Sequence, residues 1–242
     1  MLVTAHHLGT SVCHGFSCRT GGVSEGRYAS LNLSDKWGDA PAHVEENLRR
    51  FAKRVGFEPN NLVTVKQVHG VAVVRANDVD ADTEADAIWT HKGSGYVVGV
   101  RTADCVPVLL VDEQAGVCAA VHSGWRGTAS NIVGQTVEVL LASGANARDL
   151  RAAIGPCIEV GAFEVGDEVA KEFSSQFVAR DRGPRPHVDL RGCVRHQLGE
   201  AGLLHAHIVD VGGCTHTLED VYFSYRRDGG GIGQQLSVIG WA

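Results

Sequence analysis

Apolar residues along this chain gather in short runs broken by glycine and polar segments, the pattern of strands interleaved with a few helices. The densest stretch runs from Tyr96 to Thr128, YVVGVRTADCVPVLLVDEQAGVCAAVHSGWRGT. Residues 96–101, 106–111 and 117–121 are aliphatic and β-branched, as buried strands require. Residues 112–116 form a turn, so the second and third runs are predicted to fold back as a hairpin. The clearest helix spans residues 41–56: Pro41 suits a first turn, Val44, Leu48, Phe51 and Val55 recur at helical spacing, and Gly56 ends it. Further helices are predicted over 129–141, 167–177 and 190–198. Further strands are predicted near 14–22, where the run enters a glycine turn, and over 62–68, 71–74, 150–154, 206–211, 221–224 and 235–241. The acidic stretch 78–86 reads as a solvated loop and 181–186 as a loop or lid. With no repeat or linker, the pattern predicts one α+β domain over 1–242, mixed strands in the core and helices packed outside.

Composition narrows the function classes. The 242 residues carry a net charge of −6, which argues against a nucleic-acid or anionic-membrane partner held by bulk charge. No run approaches the roughly 20 apolar residues of a membrane span. The N-terminus has neither a basic start nor a long apolar core, so a soluble, cytoplasmic protein is expected, and a monomer. Seven scattered cysteines do not form a disulfide framework, and no C-x-x-C occurs. Twelve histidines direct attention to metal or acid–base chemistry.

Cys105 and His122 stand at the ends of adjacent strand-like runs, and His69 lies at a break between two others. Two imidazoles and one thiolate suit Zn²⁺, with a fourth tetrahedral position open to water, which the metal polarises. Asp104, beside Cys105, could orient a ligand or take a proton. The same residues also read as a Cys–His nucleophile pair, Cys105 attacking a carbonyl and His122 acting as base; spacing alone leaves both readings open, beside the bland one of three unrelated side chains. Weaker signals include His43-Val44-Glu45, half of a zinc-deaminase motif, but Pro156-Cys157 lacks the second cysteine of that signature. His205-Ala206-His207 is an H-x-H as in copper oxidases, yet a multicopper site needs several such pairs and the chain has one. The glycine-rich stretch 229–233 has no Walker lysine. Arg19, Arg126 and the Arg226-Arg227 pair are the best sources of bidentate contacts to phosphate or carboxylate. Trp125 reads as core filling or as a stacking surface for a planar base.

The motifs KQVHG (66–70), EADAIWT (84–90), RTADCVPVLLVD (101–112), AVHSGWRGT (120–128), IGPCI (154–158) and FSYRRD (223–228) together resemble the YfiH family, also called the laccase-domain or polyphenol-oxidase family, which includes a peptidoglycan editing factor. The resemblance covers the chain from His14 onward. Ser123 stands where Ala is usual, and the segment after Cys214 departs from the usual one. The resemblance implies a mixed β-sandwich flanked by helices, with Zn²⁺ on His69, Cys105 and His122. It implies purine nucleoside chemistry: phosphorolysis of adenosine, inosine and methylthioadenosine, and deamination of adenosine. On that reading Asp104, Cys105 and His122 are catalytic, Arg19, Asn32 and Trp125 position the nucleoside, and Arg126 and Arg226 hold phosphate. The oxidase label implies copper, which the single H-x-H disfavours. The editing branch implies an alternative, removal of an amino acid from a peptidoglycan precursor.

Overall fold

The computed structural model describes residues 2–241. Its strands in chain order are β1 (Leu2–Val3), β2 (Cys13–Ser17), β3 (Leu62–Val63), β4 (Val73–Arg75), β5 (Ala87–His91), β6 (Val97–Thr102) and β7 (Val106–Asp112). They continue with β8 (Val117–Ser123), β9 (Arg151–Ile154), β10 (Val178–Ala179), β11 (His187–Val188), β12 (Ile208–Asp210) and β13 (Gln235–Gly240). The helices are α1 (Pro41–Val55), α2 (Trp125–Ala129), α3 (Ile132–Ala142), α4 (Asp167–Ala170), α5 (Leu190–Glu200) and α6 (Tyr225–Asp228).

Two mixed sheets form the sandwich. One has the order β1-β2-β13-β6-β3, the other β12-β9-β7-β8-β5-β4, and β10 pairs with β11 in a separate hairpin. The strands alternate between two apolar environments, which explains their uninterrupted hydrophobic runs. Along β7, Leu109 and Val111 pack with Val98, Val100 and Ile239 between the sheets, while Val108 and Leu110 pack with Val133, Val137 and Leu140 of α3 and Val194 and Leu198 of α5. On the far side of the first sheet, Val97, Leu236 and Val238 meet Phe51 and Ala52 of α1. Truncating a side chain such as Leu109 to alanine at these positions costs about 2–5 kcal/mol. Helix α1 ends where its pattern predicts: Gly56 adopts φ +95° and its N–H returns to Ala52 O at 2.8 Å.

Several predicted elements are corrected. The helix predicted over 129–141 begins only at Ile132 as α3, because Asn131 takes φ +60° and its side chain accepts the Gly134 N–H as the cap, and α2 is a separate short helix ahead of it. The helix predicted over 167–177 shrinks to α4, whose continuation tightens into i→i−3 bonds at Glu172 and Phe173 before a short 3₁₀ turn at Ser175–Phe177. No ladder forms over 221–224. There the Gln235 side chain takes the place of a strand, Oε1 accepting from Phe223 N and Nε2 donating to Phe223 O. The run 62–68 is similarly cut to β3: the Lys66 backbone turns to an isolated parallel bridge with Glu84, and the Gln67 amide pairs with both main-chain groups of Arg101 at 2.8 Å. β5 forms where the sequence pattern predicts no element. Residues 181–185 are the exposed tip of the β10–β11 hairpin, with Pro186 buried behind them.

Candidate metal centre and pocket

The hairpin β7–β8 sets the site. Its register pairs Pro107 with His122 and Val106 with Ser123, so Cys105, immediately before β7, emerges at the same end as His122. β5 pairs with β8 through Ala87 and Val121, and one step further the His122 N–H bonds to Asp86 O at 2.7 Å. Asp86 is therefore fixed beside His122 by the ladder itself. Its carboxylate accepts His122 Nδ1 at 2.7 Å and the N–H groups of His69 at 3.0 Å, Gly70 at 2.6 Å and Val68 at 3.2 Å. This holds the 68–70 turn, in which His69 adopts φ +62°, against β8. The acidic run 78–86 is a solvated loop only up to Glu84; Asp86 is fully buried.

One imidazole nitrogen of each of His69 and His122 and the Cys105 sulfur all lie within 4.8 Å of one another, and the two rings meet edge to face with centroids 4.8 Å apart. Among the described residues this is the one group of three or more His, Cys, Asp or Glu side chains arranged to hold a metal. Because Nδ1 of His122 faces the Asp86 carboxylate, Nε2 is left as the donor atom. Two imidazole nitrogens and a thiolate leave one tetrahedral position for an outside ligand, the donor set of Zn²⁺. Gly124 keeps the approach clear: a Cβ there would stand 3.0 Å from His69 Cδ2 and 3.2 Å from Cys105 Sγ. Burial pushes the Cys105 thiol up, but His122 and His69 beside it bring it down to about 6. Burial pushes His122 down, and the neighbouring Cys105 thiolate and Asp86 outweigh it, raising the imidazole to about 9.

These three residues form the floor of a cavity of about 800 Å³, whose wall includes Asp104, Trp125, Arg126, Phe163, Tyr225 and Arg226. Asp104 takes φ +95° and both its oxygens are occupied, Oδ1 accepting the Thr215 hydroxyl and Oδ2 the Arg226 N–H, each at 2.6 Å. It thereby anchors the start of α6 beside Cys105. The Arg126 guanidinium stacks over Trp125 at 4.1 Å and enters no ion pair among the described residues. Arg226 lies over Phe163 at 5.0 Å, and its Nη1 donates to Glu164 O at 2.7 Å.

Two expected nucleoside contacts are placed elsewhere. Arg19 donates to Ala29 O and Glu219 O and packs over Phe223, lining a separate polar cleft. Asn32 is buried, donating to Ser34 O and Asp39 Oδ2 while accepting from the N–H groups of Ser34 and Gln234. Both shape the loops behind the pocket rather than its wall. The Ser123 hydroxyl pairs with Thr128 of α2 at 2.8 Å. The H-x-H histidines occupy a 3₁₀ turn, His205–His207, before β12, and do not line this cavity.

A stacked mixed-sheet α+β protein with a part-buried two-histidine, one-cysteine cluster at the end of its central hairpin is thus defined. The chain belongs to the multi-copper polyphenol oxidoreductase laccase family, whose sequence pattern matches residues 13–242. It is 40% identical over 233 residues to a purine nucleoside phosphorylase of Deinococcus radiodurans, covering 95% of this chain and 89% of that one. It is 38% identical to adenosine deaminase RL5 from an unknown prokaryotic organism, covering 91% of each. The crystal structure of YlmD from Geobacillus stearothermophilus superposes with a TM-score of 0.89 at 30% identity, covering 97% of this chain and 93% of that one. No helix among the described residues is long and apolar enough to cross a membrane.

Proposed function

We propose that this chain is a zinc-dependent purine nucleoside phosphorylase that also deaminates adenosine. One observation carries the reading: the His69–Cys105–His122 cluster, braced by Asp86, forms the floor of a nucleoside-sized cavity that also exposes an unpaired guanidinium, Arg126. The names of the relatives support it, since they cover both activities at 38–40% identity over nearly the whole chain.

His69, Cys105 and His122 would hold the metal, which when bound supplies Lewis-acid polarisation. Asp86 keeps the His122 proton on Nδ1 and so keeps Nε2 as a donor. Trp125 and Phe163 offer apolar faces for a planar base. In phosphorolysis an anionic nucleophile approaches a sugar carbon that develops positive charge, and the purine leaves as an anion or takes a proton. Fixed cations are therefore needed at the phosphate. Arg126, held on Trp125, is suited to this task, and Arg226 lines the same cavity. Asp104 acts as a positioning residue that sets the start of α6.

The test is a chromatographic assay with adenosine, run with and without phosphate, on protein whose metal content has been measured. Phosphate should yield adenine and ribose 1-phosphate; its omission should leave inosine as the product. About one zinc per chain is expected. Stoichiometric multinuclear copper, or release of an amino acid from a muramyl precursor without nucleoside turnover, overturns the reading.

A second reading is favoured by the lowered Cys105 thiol next to His122: a metal-independent cysteine hydrolase. It requires that chelated protein stay active and form a covalent acyl adduct at Cys105.

A further inference from the structure

Arg101 is a cation lining the cavity that no function so far accounts for. It sits on β6 with its main chain clamped by the Gln67 amide. Its guanidinium is fixed from behind: Nε donates to Leu33 O at 2.6 Å and Nη1 to Thr64 Oγ1 at 3.1 Å. Both partners are neutral. No carboxylate lies within ion-pair distance of it among the described residues, and the acidic group it does feel, Asp35, is on the exposed 35–38 loop. The side chain carries five N–H donors, and these two bonds leave others available, while residue 101 is only part-buried. A permanently charged group that is partly withdrawn from water and lacks a counter-ion has free donors that an anion can complete.

The other cavity arginines differ. Arg126 is exposed and held only by stacking, and Arg226 donates to main-chain carbonyls from an exposed position. Arg226 is also tied at its backbone N–H and guanidinium, but from an exposed position; Arg101 alone among the three is part-buried, with both main-chain groups clamped and its guanidinium held at two points. Donors whose geometry is set in advance lose little freedom on binding, which suits them to fix the place of a tetrahedral oxyanion.

We propose that Arg101 is the fixed donor of an anion subsite in this cavity, and that the anion is a phosphoryl group, either free phosphate or a phosphate carried by the nucleoside. The proposal rests on the reading of the cavity as a nucleoside site, but its binding test does not depend on turnover.

The experiment compares zinc-loaded wild type with Arg101→Gln and Arg101→Lys. Thermal unfolding is followed against inorganic phosphate, and calorimetry measures adenosine and adenosine 5′-monophosphate. If the anion is free phosphate, Arg101→Gln should need about tenfold to a hundredfold more phosphate for the same thermal shift, with adenosine affinity unchanged. If the phosphate is carried by the nucleoside, Arg101→Gln should instead lose the preference for the monophosphate over adenosine. Either result supports the subsite. Arg101→Lys keeps the charge but not the anchored fork, so it should fall between wild type and Gln, and it decides the matter if the Gln variant does not fold. A wild type indifferent to both ligands, or folded variants that respond as wild type does, overturns the proposal and leaves Arg101 as a tie between β6 and the 31–36 segment. Loss of phosphorolysis in wild type with the phosphate shift intact would instead count against the nucleoside reading alone.

Discussion

Asp86→Asn is the sharpest perturbation of the site, because it keeps the shape and removes the charge. The carboxylate accepts four hydrogen bonds, two on Oδ1 from His122 Nδ1 and His69 N and two on Oδ2 from Gly70 N and Val68 N. An asparagine has one acceptor oxygen and must turn its NH₂ toward two of those donors. Hydrogen bonds to a charged group are worth about 1.5–3 kcal/mol each, but four on one carboxylate are not additive. Breaking one partner out of a buried charged pair costs about 3–5 kcal/mol, and we expect the metal-free variant to lose that much. The pH dependence has a definite sign. Burial opposes ionisation of Asp86, but its hydrogen bonds with His122 and the 69–70 amides win, and its pKa falls below the ordinary 3.8. The stabilisation it supplies is therefore present above about pH 4 and disappears as pH falls through the lowered native value. Zinc affinity should drop about tenfold to a hundredfold, since His122 loses the acceptor that fixes its tautomer. Denaturant titration of metal-free protein at pH 7 and pH 3, with chelator competition for zinc, measures both effects. A variant with wild-type stability at pH 7 and wild-type zinc affinity would refute the argument.

Three further outcomes are expected. Cys105→Ser and His69→Ala should each abolish stoichiometric zinc, read by elemental analysis after desalting, while retaining the far-ultraviolet spectrum of the fold. In metal-free protein, alkylation of Cys105 should rise with pH through a midpoint near 6, followed by mass spectrometry of the modified peptide; a midpoint near the ordinary thiol value of 9 would contradict the influence assigned to His122 and His69. Arg126→Ala should depress phosphorolysis about tenfold to a hundredfold, with a much smaller effect on deamination; equal loss of both, accompanied by a lower melting temperature, would mean that Arg126 braces the turn after His122.

The parts of the site legible in the sequence are those that sit on regular strands. A hairpin between two aliphatic runs placed Cys105 and His122 at one end, and its observed register bears this out. Asp86 was hidden by its neighbours. It closes an acidic run whose earlier members are exposed, and the signal that set it apart is local: Ala85 and Ala87 flank it, and an apolar strand begins at once. An acid at the edge of a buried strand is expected to be paired. The nucleoside roles of Arg19 and Asn32 are what the family resemblance implies, and nothing in a linear sequence reports that their polar groups are consumed by the loops around them. The strands lost at 64–68 and 221–224 have a common cause. Gln67 and Gln235 supply from a side chain the donor and acceptor that a neighbouring strand would supply from its backbone.

Gln67 also explains how a pocket is opened at the end of a well-packed sandwich. A ladder carried on past β3 would run along β6 and cover the end where Cys105 emerges. The Lys66 backbone already pairs with residues 83–85, the Gln67 side chain satisfies the Arg101 backbone as a single rung in place of a strand, and residues 68–70 continue to Asp86 and deliver His69. The departing chain leaves Arg101 lining the cavity on one side of the rung and places His69 two residues beyond it on the other. The cationic wall and the metal floor are thus tied to each other through Gln67, and to the second sheet through Asp86. This mechanical coupling has a consequence in the distribution of sensitivity. Gln67→Ala leaves two main-chain groups of β6 without partners, and its damage should reach both zinc affinity and phosphate response. Arg101→Gln, which leaves the rung in place, should alter the phosphate response alone. The two substitutions separate a shared scaffold from a private contact more cleanly than truncation of any one ligand.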